Sequence, residues 1–455
     1  MNRFRLDDLK PHIYRTRNFG KTWQEIDAGL ADDAPVNVVR EDPLRKGLLF
    51  AGTETTVYVS FDDGDHWQPL QLNLPHTSMR DLTIHGDDLV VATHGRSFWI
   101  LDDITPLRQL SEEVAKASAY LFAPQEALRV RWNKNPDTPL PPEEPAGKNP
   151  PDGAIIDYFL AKDAAGPVAL EILDERETSL VRVYSSEDKA ETLEEMAPKH
   201  PIPMYWVRQE KIVSAKAGMH RFVWNVRWPA PKSLGHGFPI SAIVHDTPRE
   251  PQGAWALPGR YTVKLVVDGA SYTQPLVLKM DPRVKTPAAD LRKQFGMQKG
   301  ATVGMNDSFE ALAELKSARE QVKAAMAKVS SAEAKQKLSE FDKKAAALEG
   351  AAVPGFSGVP LAGKQPENFS TLNQRFGRIL AIADAADTAP TTQAEAVAKE
   401  LDVALRDNLA RWGETKTTDV PALNQLLEKE KAGRIDPKVR GGEAPSSDVD
   451  GDDEP

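Results

Sequence analysis

Three sets of side chains in this sequence have types and spacings that could do chemistry. They are His94 and Arg96 within Thr93-His94-Gly95-Arg96, the tryptophans, and a recurring set of hydroxyl, carboxylate and glycine residues. His94 and Arg96 flank a glycine, so a tight turn there would present an imidazole beside a guanidinium, a pair suited to an anionic or sugar ligand. Arg96 is equally placed to pair with Asp102 or Asp103 and fix a strand edge. Other reaction types lack their residues. The chain has no cysteine, which removes thiolate nucleophiles, thiolate zinc sites and disulfides. Its 9 histidines form neither His-x-His nor His-Glu-x-x-His, so no metal site is expected. Gly-x-Ser-x-Gly, the phosphate loop and Gly-x-Gly-x-x-Gly are all missing, and no cofactor is expected. Asp448-Val449-Asp450-Gly451-Asp452 superficially suggests a calcium loop, but Asp453 stands where that turn needs glycine.

The recurring set reads Ser60-x-Asp62-x-Gly64-x-x-Trp67, and upstream Thr16-x-Asn18-x-Gly20-x-x-Trp23. Asn18 to Asp62 and Trp23 to Trp67 are both 44 residues apart, which is the length of one structural repeat. The spacing predicts a hairpin turn. Glycine takes torsions that side chains forbid, Asn18 or Asp62 accepts hydrogen bonds from turn amides, and the tryptophan packs between strands. Four strands surround the second copy, at Val36–Val39, Leu48–Gly52, Val57–Phe61 and Trp67–Leu70. A third unit follows at an offset of 40, aligning Ala51-Gly52-Thr53 with Val91-Ala92-Thr93. It has three strands, Met79–Ile84, Leu89–Thr93 and Ser97–Leu101, and Ile104 replaces the turn glycine.

These motifs are Asp-boxes. With Arg40-Glu41-Asp42-Pro43 and Ala92-Thr93-His94-Gly95-Arg96-Ser97-Phe98-Trp99, they resemble the final blades of large bacterial Asp-box (BNR-repeat) proteins, a sortilin-like family often labelled glycosyl hydrolase. The resemblance implies a β-propeller and a secreted or periplasmic parent. It assigns Thr16, Asn18, Gly20, Trp23, Ser60, Asp62, Gly64 and Trp67 a structural role, and no catalytic residue carries over. About two and a half blades cannot close a ring that needs four to eight. The expected partners are therefore the missing blades, from the same protein or another chain, and a protein or carbohydrate ligand. The expected function is that of a non-catalytic C-terminal fragment acting as a binding scaffold. The alternative is the rear part of a sialidase-like or xyloglucanase-like glycoside hydrolase.

The elements that must position these residues follow from composition. A chain of 455 residues predicts roughly three domains. A net charge of −10 argues against a nucleic-acid surface. Met1 to Lys10 is charged and carries no secretory signal, and no apolar run is long enough to span a membrane. The expected order is β then α: a partial Asp-box propeller (1–106), a connector and Pro-rich linker (107–153), an immunoglobulin/fibronectin-like β-sandwich (154–283), an α-helical bundle (284–435) and a disordered acidic tail (436–455). The sandwich reading rests on six strands near 155–160, 168–173, 180–184, 220–228, 261–267 and 273–280. Trp206, Trp224, Trp228 and Trp255 would be either a carbohydrate platform or core. Capping boxes are expected at Asp307/Glu310, Ser330/Glu333 and Thr392/Glu395, each opening an amphipathic helix.

Overall fold

The computed structural model describes residues 3–131, 147–176, 179–200, 202–239, 243–351 and 367–438. The chain is mixed β and α, with several sheets followed by a C-terminal helical region. No helix is long and apolar enough to cross a membrane. Most of the acidic tail, the suggested calcium loop and most of the Pro-rich linker lie outside the described residues.

Three antiparallel sheets come first. Strands β1 (Tyr14–Arg15) and β2 (Gln24–Glu25) form a ribbon, and β3 (Val36–Glu41), β4 (Leu49–Thr53), β5 (Val57–Ser60) and β6 (Gln68–Pro69) form a four-stranded meander. β7 (Met79–His85), β8 (Asp88–Thr93) and β9 (Phe98–Leu101) make a three-stranded one. Every residue of β4 and β5 is buried, because the middle sheet is covered on both faces. Ile13, Ile26, Leu30 and Trp67 pack on one side, and Met79, Leu82, Leu89 and Val91 on the other. The outer strand β9 is not covered: Phe98 is 76% and Ile100 56% exposed.

Helices α1 (Thr105–Gln109) and α2 (Glu112–Lys116) lead into a two-sheet unit. Its strands are β10 (Ala119–Leu121), β11 (Ala127–Arg129), β12 (Ala154–Leu160), β13 (Ala169–Asp174), β14 (Ser179–Ser185), β15 (Gly218–Trp224), β16 (Gly259–Val267) and β17 (Ala270–Met280). One sheet has the order β10-β12-β15 and the other β11-β17-β16-β13-β14. β13 and β16 alternate buried and half-buried residues, so Leu170, Ile172, Tyr261, Val263 and Leu265 face a common core. The short helix α3 (Leu193–Met196) sits in the loop before β15, its capping box closed by Thr192 and Glu195. Residues 119–121 and 127–129 differ from the connector expected there. They are strands of both sheets, and β11 runs parallel to β17.

The helical region comprises α4 (Ala288–Met326), α5 (Ala332–Glu349), α6 (Phe369–Asp384), α7 (Thr392–Glu414) and α8 (Val420–Lys429) around one apolar core. The apolar faces of these helices fill it, including Leu312, Leu315, Leu338, Phe341, Phe376, Leu401 and Trp412. The caps differ from expectation. Asp307 lies in the middle of the 39-residue α4 and caps nothing. Helix α5 is capped by Ser331, with Glu430 from beyond α8 accepting from the Ser330 and Ser331 amides at 2.7 and 3.3 Å. Helix α7 is capped by Thr391, one residue before the expected position. Here the hydroxyl that reaches the third helical amide decides the start, and a carboxylate from another element replaces the local partner.

Candidate functional site

The turns at Thr16–Trp23 and Ser60–Trp67 share one bonding scheme. Ser60 Oγ accepts from Gly64 N (2.9 Å) and donates to Asp62 Oδ1 (2.8 Å), which accepts from His66 N (2.9 Å). Thr16 Oγ1 accepts from Gly20 N (2.9 Å) and donates to Asn18 Oδ1 (3.2 Å), which accepts from Thr22 N (2.8 Å). Both turns place two successive residues in the left-handed region, Phe19 (φ 57°) with Gly20 (83°) and Asp63 (62°) with Gly64 (90°). At Gly64 space is also decisive, since a Cβ would come within 2.5 Å of Ile26 Cδ1.

The tryptophans of the two boxes diverge. Trp67 is 4% exposed and donates from Nε1 to the Ile26 carbonyl at 2.8 Å. Trp23 is 60% exposed, and the atom nearest a Cβ on Gly20 is Trp23 itself, at 3.7 Å. Arg15 ties the ribbon to the second box by donating to Asp63 Oδ2 (3.1 Å) and Asp65 Oδ1 (2.7 Å).

His94 and Arg96 are exposed on the turn joining β8 to β9. The turn is held by Thr93 Oγ1, which donates to the Ser97 carbonyl (2.6 Å) and accepts from Arg96 N (3.1 Å). Arg96 forms no ion pair with Asp102 or Asp103. Arg221 of β15 instead donates to both of their carbonyls, at 2.5 and 2.9 Å, and holds the buried Asp157 through two bonds of 3.0 Å. Burial pushes the carboxyls of Asp103 and Asp157 above the ordinary range.

His94 belongs to a polar group that spans two sheets. Its amide donates to the Ser78 carbonyl at 2.9 Å. Glu54, on the β4–β5 turn, accepts from Asn37 Nδ2 (3.0 Å) and Arg80 Nη1 (3.2 Å). Burial raises the Glu54 carboxyl, but hydrogen bonds from Asn37 and Ser78 and the charges of Arg80 and His94 outweigh it and hold the group below its usual range. Glu54 and His94 occupy equivalent places in successive repeats, each following the threonine of Gly52-Thr53 or Ala92-Thr93. That equivalence was the signal available for Glu54. Nothing local marks Arg80. The arrangement offers an ionised carboxylate, a guanidinium and an exposed imidazole, which suits recognition of a polar ligand by hydrogen bonds and charge.

One group among the described residues brings possible metal ligands together: His12, Glu25 and Asp27, with one ligand atom from each within 4.8 Å of the others. His12 already uses both ring nitrogens, on Glu25 at 2.9 Å and Asp8 at 3.0 Å. These hydrogen bonds raise the imidazole's pKa, and both ring nitrogens that could ligate an ion are already engaged. Trp206 is half-buried on a short turn, edge-on to Tyr205 at 6.0 Å, and the other three tryptophans make no exposed platform. Trp224 and Trp255 are core residues, and the half-buried Trp228 packs against Phe295 at 5.9 Å and beneath Lys299.

No family model matches the chain, and no curated protein matches it. Among solved structures, it is similar to the extracellular domain of a protein from B. thetaiotaomicron assigned as a one-component system. The alignment covers 60% of this chain and 29% of that chain at 9% identity, with a TM-score of 0.17. The chain thus spans less than a third of that structure, and a TM-score this low carries no argument about fold.

Proposed function

We propose that the three N-terminal sheets are blades of an Asp-box β-propeller, and that the chain is a non-catalytic binding scaffold. In this reading the two-sheet unit is an immunoglobulin-like spacer. One observation carries it: two box turns share their hydroxyl and turn-amide bonds and differ in what covers the tryptophan. Trp67 has the apolar side chain and the carbonyl of Ile26, contributed by the preceding unit. Trp23 is 60% exposed, and Phe19 and Tyr14 of the same N-terminal segment are exposed as well. The partner that fits is a further Asp-box blade offering an aliphatic residue and a free carbonyl, from the same polypeptide or a separate one. The Glu54, Arg80 and His94 group supplies a surface for a polar ligand such as a carbohydrate or peptide. It pairs one carboxylate with two basic groups, whereas hydrolysis of a glycoside calls for two carboxylates across the bond.

The test joins the chain to additional Asp-box blades and follows acrylamide quenching of Trp23 in a variant whose other N-terminal tryptophans are replaced by phenylalanine. Quenching should fall towards that of a buried indole. Unchanged quenching would overturn the docking reading. Turnover of any glycoside by the chain, abolished in His94→Ala or Arg96→Ala, would overturn the non-catalytic one.

A further inference from the structure

Strand β9 is paired on one side only. Its sheet has the order β7-β8-β9, whereas in the sheet before it the strand at the matching place, β5, is covered by β6. The turn before β9 decides which backbone groups are left over. Thr93 N donates to the Ser97 carbonyl and Trp99 stands opposite Val91, so Ser97, Trp99 and Leu101 turn their backbone towards β8. Phe98 and Ile100 turn theirs outward, where the described residues supply no further strand. The side chains of the same two residues are 76% and 56% exposed, while Trp99 and Leu101 pack on the apolar core shared with the middle sheet. An uncovered apolar edge of this kind is a template for another strand.

The two ends of this strand carry opposite charges. Arg96 stands two residues before Phe98, and Asp102 two residues after Ile100. Neither forms an ion pair among the described residues. Burial and the charge of Asp88 push the Asp102 carboxyl above its ordinary range, against the pull of Arg221. The run Arg96-Ser97-Phe98-Trp99-Ile100-Leu101-Asp102 is therefore complementary to its own reverse. An antiparallel copy centred on Trp99 sets Phe98 opposite Ile100, Trp99 opposite Trp99, and Arg96 opposite Asp102 twice over. The backbone allows that register, because it brings the outward-facing Phe98 and Ile100 of the two strands together as hydrogen-bonded pairs. A shift of two residues keeps the ladder but leaves Arg96 with no carboxylate opposite it. Arg221 takes the carbonyls of Asp102 and Asp103, so the ladder ends at Ile100.

We propose that β9 is a self-association edge, through which two copies of this chain pair antiparallel and join their three-stranded sheets into one of six strands. The two-fold axis passes between the paired Trp99 residues. Each copy offers the N–H and C=O groups of Phe98 and Ile100. On one face Phe98 of each copy lies against Ile100 of the other, an aromatic and β-branched pair. The contact uses the same patch on both copies, so it closes at two and does not propagate. The edge is short, which places the dimer in the weak, concentration-dependent class. It involves the last of the three N-terminal sheets and makes no use of the Trp23 ribbon, so it stands or falls separately from the docking of further blades.

Sedimentation velocity of the full chain over about 5–500 µM reads the association. The mass should rise with concentration towards twice that of one chain. Arg96→Asp and Asp102→Lys should each weaken the dimer at least about tenfold, because each sets like charges opposite one another twice. An equimolar mixture of the two variants should associate to within about threefold of the unchanged chain, since every charged pairing in the mixed dimer then joins opposite signs. Ile100→Pro removes an outward N–H and spares the ladder to β8, so it should weaken association as well. Circular dichroism establishes that the variants fold, and if Asp102→Lys does not, Arg96→Asp and Ile100→Pro decide. A single-chain mass at every concentration, or a mixture that associates no better than its components, would overturn the proposal. So would association that is lost in Trp23→Ala and kept in the β9 variants, which would place the contact on the ribbon instead.

Discussion

Trp67 Nε1 and the carbonyl of Ile26 are joined by a 2.8 Å hydrogen bond that spans 41 residues and links two consecutive sheets. The indole behind it is almost fully buried, so it contributes apolar area as well as a directed bond. Trp67→Ala should destabilise the N-terminal sheets by about 3–5 kcal/mol. Trp67→Phe should cost about 1–2 kcal/mol, through the lost donor and the unpaired carbonyl. Trp23→Ala removes a side chain exposed to 60% and should change stability by no more than about 0.5 kcal/mol. Urea denaturation of the three variants checks the ordering, and equal losses at Trp23 and Trp67 would show that the two motifs are equally supported.

The junction between the three-stranded sheet and the two-sheet unit rests on Arg221. Its guanidinium is the partner of Asp157, which is 5% exposed. Arg221→Met leaves that carboxylate buried without a counter-ion and should cost about 3–5 kcal/mol. Adding Asp157→Asn should return much of the loss, since the uncompensated charge then disappears. A double-mutant cycle by thermal melting measures the coupling. Additive losses would mean that the pair does not act as a unit.

His12 gives the ribbon a pH response with a defined sign. Hydrogen bonds donated to Glu25 and Asp8 raise its pKa above the ordinary 6.5, so its stabilisation is complete below that value and is lost as pH rises through the raised one. Asp8 and Glu25 are lowered from 3.8 and 4.5, mainly by their bonds to His12, so their share is lost only as pH falls through those lowered values. Tyr14, Asp27 and Arg3 are the other charged or titratable groups around them. The clasp is therefore tightest between about pH 4.5 and 6.5. Limited proteolysis near the first box should accelerate as pH rises above about 6.5 in the unchanged chain. In His12→Gln that dependence should be absent, and the same acceleration there would exclude His12 as its source.

Two glycines of α4 should respond to alanine with opposite signs. A Cβ at Gly304 would come within 2.6 Å of Phe376 Cζ on α6, whereas one at Gly300 meets nothing within 4 Å. Gly304→Ala should destabilise by about 1–3 kcal/mol through overpacking. Gly300→Ala should stabilise by about 0.5–1 kcal/mol, because alanine loses less backbone freedom in a helix. Chemical denaturation of both variants is the check. A stabilising Gly304→Ala would mean that α4 and α6 are not in close contact there.

The strands were legible where one face is buried. The alternation of β13 and β16 and the box turns around Gly20 and Gly64 placed those elements to within a few residues. The helices were legible from Leu312 onward, where apolar residues follow the helical period. The first turns of α4 were not, because their inward face is polar. Gln294 and Gln298 are 2% and 1% exposed and donate to the Ala383 carbonyl near the end of α6, so a search for an apolar stripe passes over them. Strands β10 and β11 were missed for a different reason. Each has three residues, and their partners lie far along the chain. The bond between Arg129 and Asp387 was illegible on the same ground, its two residues being separated by 258 positions.

The parallel pairing of β11 with β17 also sets an order of assembly. Glu126 and Lys279, which meet beside that pairing, are 153 residues apart. At about 5–20 residues per second, a ribosome needs roughly 8–30 seconds to make that interval. Throughout it, β11 has emerged without its neighbour, and Arg129 and Arg131 wait longer still for Asp384 and Asp387. The two-sheet unit cannot close as it is synthesised, and the seam with the helices is sealed last, from the C-terminal side.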